Sequence, residues 1–138
     1  MEVDEMNELT YEQRQEILDY FGKILINHVR DTSLTMAMDI AKNKTVNPIK
    51  QKQYKALSGL NNEQKEAVCD LLSETITDTI YNFLDMFEAN QEKMKLLVFK
   101  DGSEYDLNKV SEKMGGEISF VDEDGWIQKF SKMGRFVI

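Results

Sequence analysis

One cysteine, one proline and one histidine are all that 138 residues supply, and no apolar run approaches the roughly 18 residues that cross a bilayer. A lone Cys69 forms no disulfide within one chain, so nothing points to secretion. One Cys and one His exclude a structural zinc site of the usual ligands, and no metal or cofactor is expected. His28 falls among apolar neighbours on a helical pattern, which reads as a core or boundary histidine rather than a general base. No catalytic residues are expected: there is no nucleophile triad and no Walker pattern. Gly115-Gly116 lacks the continuation of a dinucleotide or phosphate loop. Residues 1–10 have neither the basic start nor the apolar stretch of a signal peptide, which leaves the cytoplasm as the expected compartment.

Positive charge is also scarce. Seventeen Lys and Arg against 25 Asp and Glu leave a net charge of −8. Nucleic acids and anionic membranes are bound through Lys and Arg, so that balance argues against both and favours capture of basic partners.

The acids are unevenly placed. From Glu66 to Glu92 there are seven acidic residues and no Lys or Arg. Glu66, Asp70, Glu74 and Asp78 form a row at four-residue spacing, extended by Asp85 and Glu88. Val68, Leu72, Ile76, Ile80, Phe83 and Phe87 recur at three- and four-residue steps in the same stretch and predict an amphipathic helix. The acid row lies two residues out of phase with this stripe, about 200° around the helix, and is expected to face away from the core. Like charges four apart cost roughly 0.2–0.5 kcal/mol per pair. Each buried apolar side chain returns roughly 1.5–3 kcal/mol, so packing wins whether or not the row has a function. A solvated face and an acidic docking face both fit.

Around that helix the order is helices first, strands later, which predicts a single α+β domain with a small antiparallel sheet. Residues 1–9 are expected to fray, 10–92 to be helical and 93–138 to be strand-rich. Thr10 with Gln13 makes a capping-box start. Ile17, Leu18, Phe21, Ile24, Leu25, His28 and Val29 then give one apolar face on a helix expected to run, straight or mildly bent, to about Asn43. Residues 43–62 read as a connector, turned by Asn47-Pro48 and anchored by Tyr54, Leu57 and Leu60 in a short helical turn ended by Gly59. It carries Lys42, Lys44, Lys50, Lys52 and Lys55, with no acid between Asp39 and Glu63. Asn61 or Asn62 caps the central helix, which fades near Asn90. Leu96–Phe99 reads as a strand closed by an Asp101-Gly102 turn. Residues 117–121 alternate as a second strand, and 122–125 (DEDG) form a turn without calcium-loop spacing. Trp126, Ile127 and Phe130 make a further apolar segment, strand or short helix, and residues 136–138 pack. Trp126 reads either as an edge residue with its N–H satisfied or as a partly exposed anchor for a partner.

Val29-Arg30-Asp31, Leu57 and Leu60 ahead of the capped helix, and the closing GGE…GWIQKFS together resemble a group of small uncharacterised bacterial proteins, from about Thr10 to Ser131. Some small acidic proteins of that kind act as immunity partners of toxins. The resemblance carries no site residues. The expected function is a non-enzymatic, acidic protein-binding module of immunity or inhibitor type that masks a basic partner such as a toxin or nuclease. Its expected partner-binding residues are Glu66, Asp70, Glu74, Asp78, Asp85 and Trp126. Two alternatives stay open. One is a structural or homodimeric scaffold whose acids pair with its own Lys42–Lys55 segment. The other is a small enzyme whose pocket joins buried acids to Tyr20, Tyr54, Tyr81 or Tyr105.

Overall fold

The computed structural model describes residues 9–118, 125–134 and 136–138. Helix α1, Tyr11–Leu25, starts at the expected capping box: Thr10 N donates to Gln13 Oε1 at 2.8 Å and Gln13 N donates to Thr10 Oγ1 at 3.1 Å. The chain passes without a break through a π-turn, Ile26–Arg30, into α2, Asp31–Ala41. Helix α3 is Pro48–Ser58, and the central helix α4 is Asn62–Ala89. A hairpin of β1, Leu97–Lys100, and β2, Ser103–Asp106, follows. Short helices α5, Leu107–Val110, and α6, Trp126–Phe130, bracket a 3-10 turn at Met114–Ile118. The fold is α+β: long helices in the N-terminal two thirds, then a two-stranded antiparallel sheet.

Local chemistry accounts for the boundaries. Asn61 caps α4 with its own capping box to Gln64. The hairpin turns on Asp101 (φ 52°) and Gly102 (φ 78°), with Lys100 paired to Ser103. Two successive left-handed residues twist the chain in the sense the strands need, which is why Asp-Gly recurs at such turns.

The main core joins the two ends of the chain. Ile17, Leu18, Leu25 and Ile26 pack with Ile80 and Leu84 of α4, with Val98, Leu107, Val110, Met114 and Ile118, and with Trp126 and Ile127 of α6. A smaller cluster joins Leu34, Cys69 and Phe136. Phe136 and Ile138 are packed as expected, whereas Val137 is exposed.

Several expectations need correction. The connector is an eleven-residue helix rather than a turn: Asn47 accepts from Ile49 N at 2.9 Å as the N-cap, and Pro48 occupies the first turn, where its missing N–H is harmless. On α4 the buried row is Cys69, Ile80 and Leu84, with Ser73, Ile76 and Thr77 half-buried along it. Phe83, placed in the apolar stripe, is 48% exposed and meets Phe87 edge-on at 5.2 Å. His28, Ile24 and Val29 are exposed: Ile24 stands at the edge of the arc that α1 buries around Leu18, Gly22 and Leu25, and His28 and Val29 lie in the π-turn, which buries Ile26 and Arg30 instead. The alternation from Glu117 is a 3-10 turn as far as Ile118; residues 119–121 of that predicted strand, and 122–124 of the predicted turn, lie outside the described residues, as do residues 1–8, expected to fray. The region from 93 on therefore holds one hairpin and short helices among its described residues.

Candidate functional site

A four-residue step advances about 40° around an α-helix, so a row at that spacing spirals. The acid row of α4 therefore does not keep one longitude. It starts level with Ser73 and Leu84 and ends well around the helix. Glu66, though exposed, lines a cavity of about 250 Å3 with Lys65, Cys69, Phe136, Val137 and Ile138. Asp70, also exposed, lines a second, of about 530 Å3, with Arg30, Ser73, Gln128 and Ser131. Both acids have interaction partners of their own. Glu74, Asp78 and Asp85 are exposed, and Glu88 is half-buried with Oε2 withdrawn from solvent. The outward part of the expected site is thus its distal half. At about 100° per residue, Glu74, Asp78 and Asp85 fall within about 60° of one another, and Leu71 shares that arc. Leu71 is 65% exposed, and Met86 stands exposed on its shoulder.

Trp126 does not join them. It is 1% exposed, packed edge-on against Phe21 at 5.7 Å and laid on Gly22, where a Cβ would come within 2.5 Å of the indole. The ring fills the core under α1, so the reading as an exposed anchor is overturned. Its N–H, expected to be satisfied, has no hydrogen-bond partner among the described residues.

The within-chain alternative for the acids also needs correction. Among the described residues no ion pair joins Lys42, Lys44, Lys50, Lys52 or Lys55 to the acid row. Helix α3 packs on α2.

What the sequence did not flag is a buried ionic joint at the π-turn. Arg30 and Asp31 are both buried, and Arg30 Nη1 lies 3.6 Å from Asp31 Oδ1. Arg30 Nε donates to Thr77 Oγ1 at 3.3 Å, Nη1 to Ser131 Oγ at 3.4 Å and Nη2 to Ser73 Oγ at 3.3 Å. Asp31 accepts from Ser131 Oγ at 2.7 Å and from Lys132 N at 2.8 Å. Burial lowers the Arg30 pKa and the Asp31 charge opposes that shift. A guanidinium stays protonated in proteins, so the joint holds charge and geometry rather than moving protons. It ties the π-turn to α4 and to the C-terminal segment. The signal was present: Ser73 and Thr77 stand four apart on the longitude that α4 buries, where a core would otherwise place apolar residues.

A second polar site lies across the molecule. Arg14, Tyr11, Gln15, Ser111, Glu112 and Glu117 line a cavity of about 490 Å3. Ser111 Oγ donates to Glu117 Oε1 at 3.0 Å, and Arg14 Nη1 donates to the carbonyls of Lys109 at 3.3 Å and Val110 at 3.4 Å. Burial raises the Glu117 carboxyl above the usual carboxylate range; the Ser111 bond opposes it, Asp19 adds to it, Lys129 opposes it and Glu112 adds to it. Such a group is a candidate proton carrier. The tyrosine on this cavity is Tyr11, none of the four that the small-enzyme alternative names.

No group of three or more His, Cys, Asp or Glu side chains among the described residues could hold a metal ion. No helix among them is long and apolar enough to cross a membrane. In comparison with known proteins, the chain matches no family model, no curated protein and no solved structure.

Proposed function

We propose that this chain is a non-enzymatic, acidic protein-binding module of the cytoplasm, of immunity or inhibitor type, which masks the basic surface of a partner such as a toxin or nuclease. The observation that carries this reading is the outward arc of α4: Glu74, Asp78 and Asp85 exposed on one side of an unbroken helix, with Leu71 among them and Met86 beside them. Acids alone would steer a cationic partner without holding it. An exposed leucine within the charged arc and a methionine at its edge add apolar contact of the kind that forms the dry centre of an interface. Glu74 and Asp78 stand about 6 Å apart along the axis, close to the spacing of successive phosphates on an extended strand, so the arc offers a nuclease cleft a pattern of charge like its substrate's.

The test is binding to a cationic nuclease at rising salt, with wild type and the E74K/D78K variant. Affinity should fall with salt and be largely lost in the variant. Affinity indifferent to both overturns it.

A further inference from the structure

Helix α3 is basic and open to solvent: it carries Lys50, Lys52 and Lys55 and no acid. None of the residues of α3 is buried, and α3 packs on α2. Val46, just ahead of it, is 92% exposed and Ile49 is 70% exposed. Lys50, Tyr54 and Leu57, half-buried, form the side turned to α2. The opposite side presents Lys52 and Lys55, one turn apart, flanked by Ile49 and Ala56. No described residue pairs with these lysines, and no acid lies between Asp39 and Glu63 to neutralise them.

The complement of this surface is on the same chain. The arc of α4 carries two acids one turn apart, Glu74 and Asp78, flanked by exposed Leu71, as Lys52 and Lys55 are flanked by exposed Ile49. Charge sign, one-turn spacing and the flanking apolar residue all match. The two surfaces do not meet within one molecule. We propose that they meet between two: a second copy of this chain lays its α3 on the Leu71–Asp85 arc of the first, and the first returns the contact, giving a two-fold dimer. Each copy contributes both surfaces, so the contact forms twice. This rests on the reading of the arc as a docking face for basic surfaces and names its resident occupant. Dimerisation would cover the arc until a more basic partner displaces the second copy.

The experiment is sedimentation equilibrium of the full chain at low and high salt, for wild type, K52E/K55E, E74K/D78K, and an equimolar mixture of the two variants. The expected result is a salt-sensitive wild-type dimer. Each variant alone should have a dimer dissociation constant raised about tenfold or more, and the mixture should recover association because opposite charges face again across the contact. A wild-type chain that stays monomeric at low salt, or a mixture that fails to recover, overturns the inference. So does a monomer whose Lys52 and Lys55 instead bind a labelled single-stranded oligonucleotide, since that gives α3 a different occupant. Binding of poly-L-lysine, measured in parallel, separates this result from the underlying reading. A monomeric wild type that still binds poly-L-lysine through Glu74 and Asp78 sinks the dimer and leaves the docking face standing.

Discussion

Replacing Gly22 with alanine should weaken this protein, although alanine is the better helix former. In a helix interior the exchange ordinarily gains roughly 0.5–1 kcal/mol. Gly22 is buried in the last turn of α1, which runs on into the π-turn, and a Cβ there would lie 2.5 Å from Cδ2, Cε2 and Nε1 of Trp126. Those atoms belong to a rigid ring that is 1% exposed and already pressed against Phe21, so the ring has nowhere to retreat. Overpacking of this kind costs roughly 1–3 kcal/mol and at this distance falls at the upper end. The clash wins, for a net loss of about 2–2.5 kcal/mol. That is a drop in Tm of roughly 6–15 °C for a chain of this size. Trp126 is the only tryptophan, so urea denaturation followed by its fluorescence reads the perturbed site directly. Gly59 is the control: its Cβ would meet Ala56 O at 3.6 Å, an ordinary contact, and G59A should stay within about 0.5 kcal/mol of wild type. A G22A variant as stable as wild type, or more so, would refute the packing of α6 against α1.

Other perturbations test other parts. Arg30→Met leaves the Asp31 carboxylate buried without its cation and should cost about 3–5 kcal/mol in urea denaturation; a loss under 1 kcal/mol would show that the joint is not buried. Gly102→Ala forces a Cβ into the left-handed region at φ 78° and should cost about 1–2 kcal/mol by the same assay, whereas Gly116→Ala, whose Cβ meets only Lys113 side-chain atoms at 3.9 Å and beyond, should be nearly neutral. Glu117 has its carboxyl pKa raised by burial, so the folded chain holds that proton more tightly than the unfolded chain does. Its ionisation therefore weakens the fold: the penalty is full above the raised value and is relieved as pH falls below the ordinary carboxylate value. E117Q, which keeps an acceptor for Ser111, should match or exceed wild type near neutral pH, with its advantage shrinking toward about pH 4. A variant less stable than wild type at neutral pH would reverse that sign. Emission from Trp126 should be blue-shifted and poorly quenched by acrylamide, whereas a red-shifted, quenchable band would restore the exposed anchor.

What was legible in the sequence was mostly local. Thr10-Gln13 and Asn61-Gln64 start helices because a cap acts within four residues, and Asp101-Gly102 turns a hairpin because its two backbone angles decide the turn. Asn47-Pro48 is as informative but ambiguous, since the pair fits a turn and a capping Asn followed by Pro is also how a helix begins. What was not legible needs distant partners. Arg30 and Asp31 look like ordinary polar residues until Ser73, Thr77 and Ser131 surround them, from 43, 47 and 101 positions away. Gly22 was a quiet clue, since a glycine inside a helix is a loss unless something lies close against it. The phase of the acid row relative to the apolar stripe does not fix which acids face outward. The row's spiral around α4 separates Glu66 and Asp70, beside the C-terminal segment, from the outward acids, and that separation depends on which longitude the rest of the fold buries.

Amide chemical-shift mapping of the labelled full chain, titrated with a cationic nuclease at low salt, asks most directly where a basic partner lands. Shifts concentrated on Leu71, Glu74, Asp78, Asp85 and Met86, and reversed by added salt, are the expected result. Shifts centred instead on Arg14, Ser111 and Glu117, or absent from α4, would contradict the assignment of the docking face.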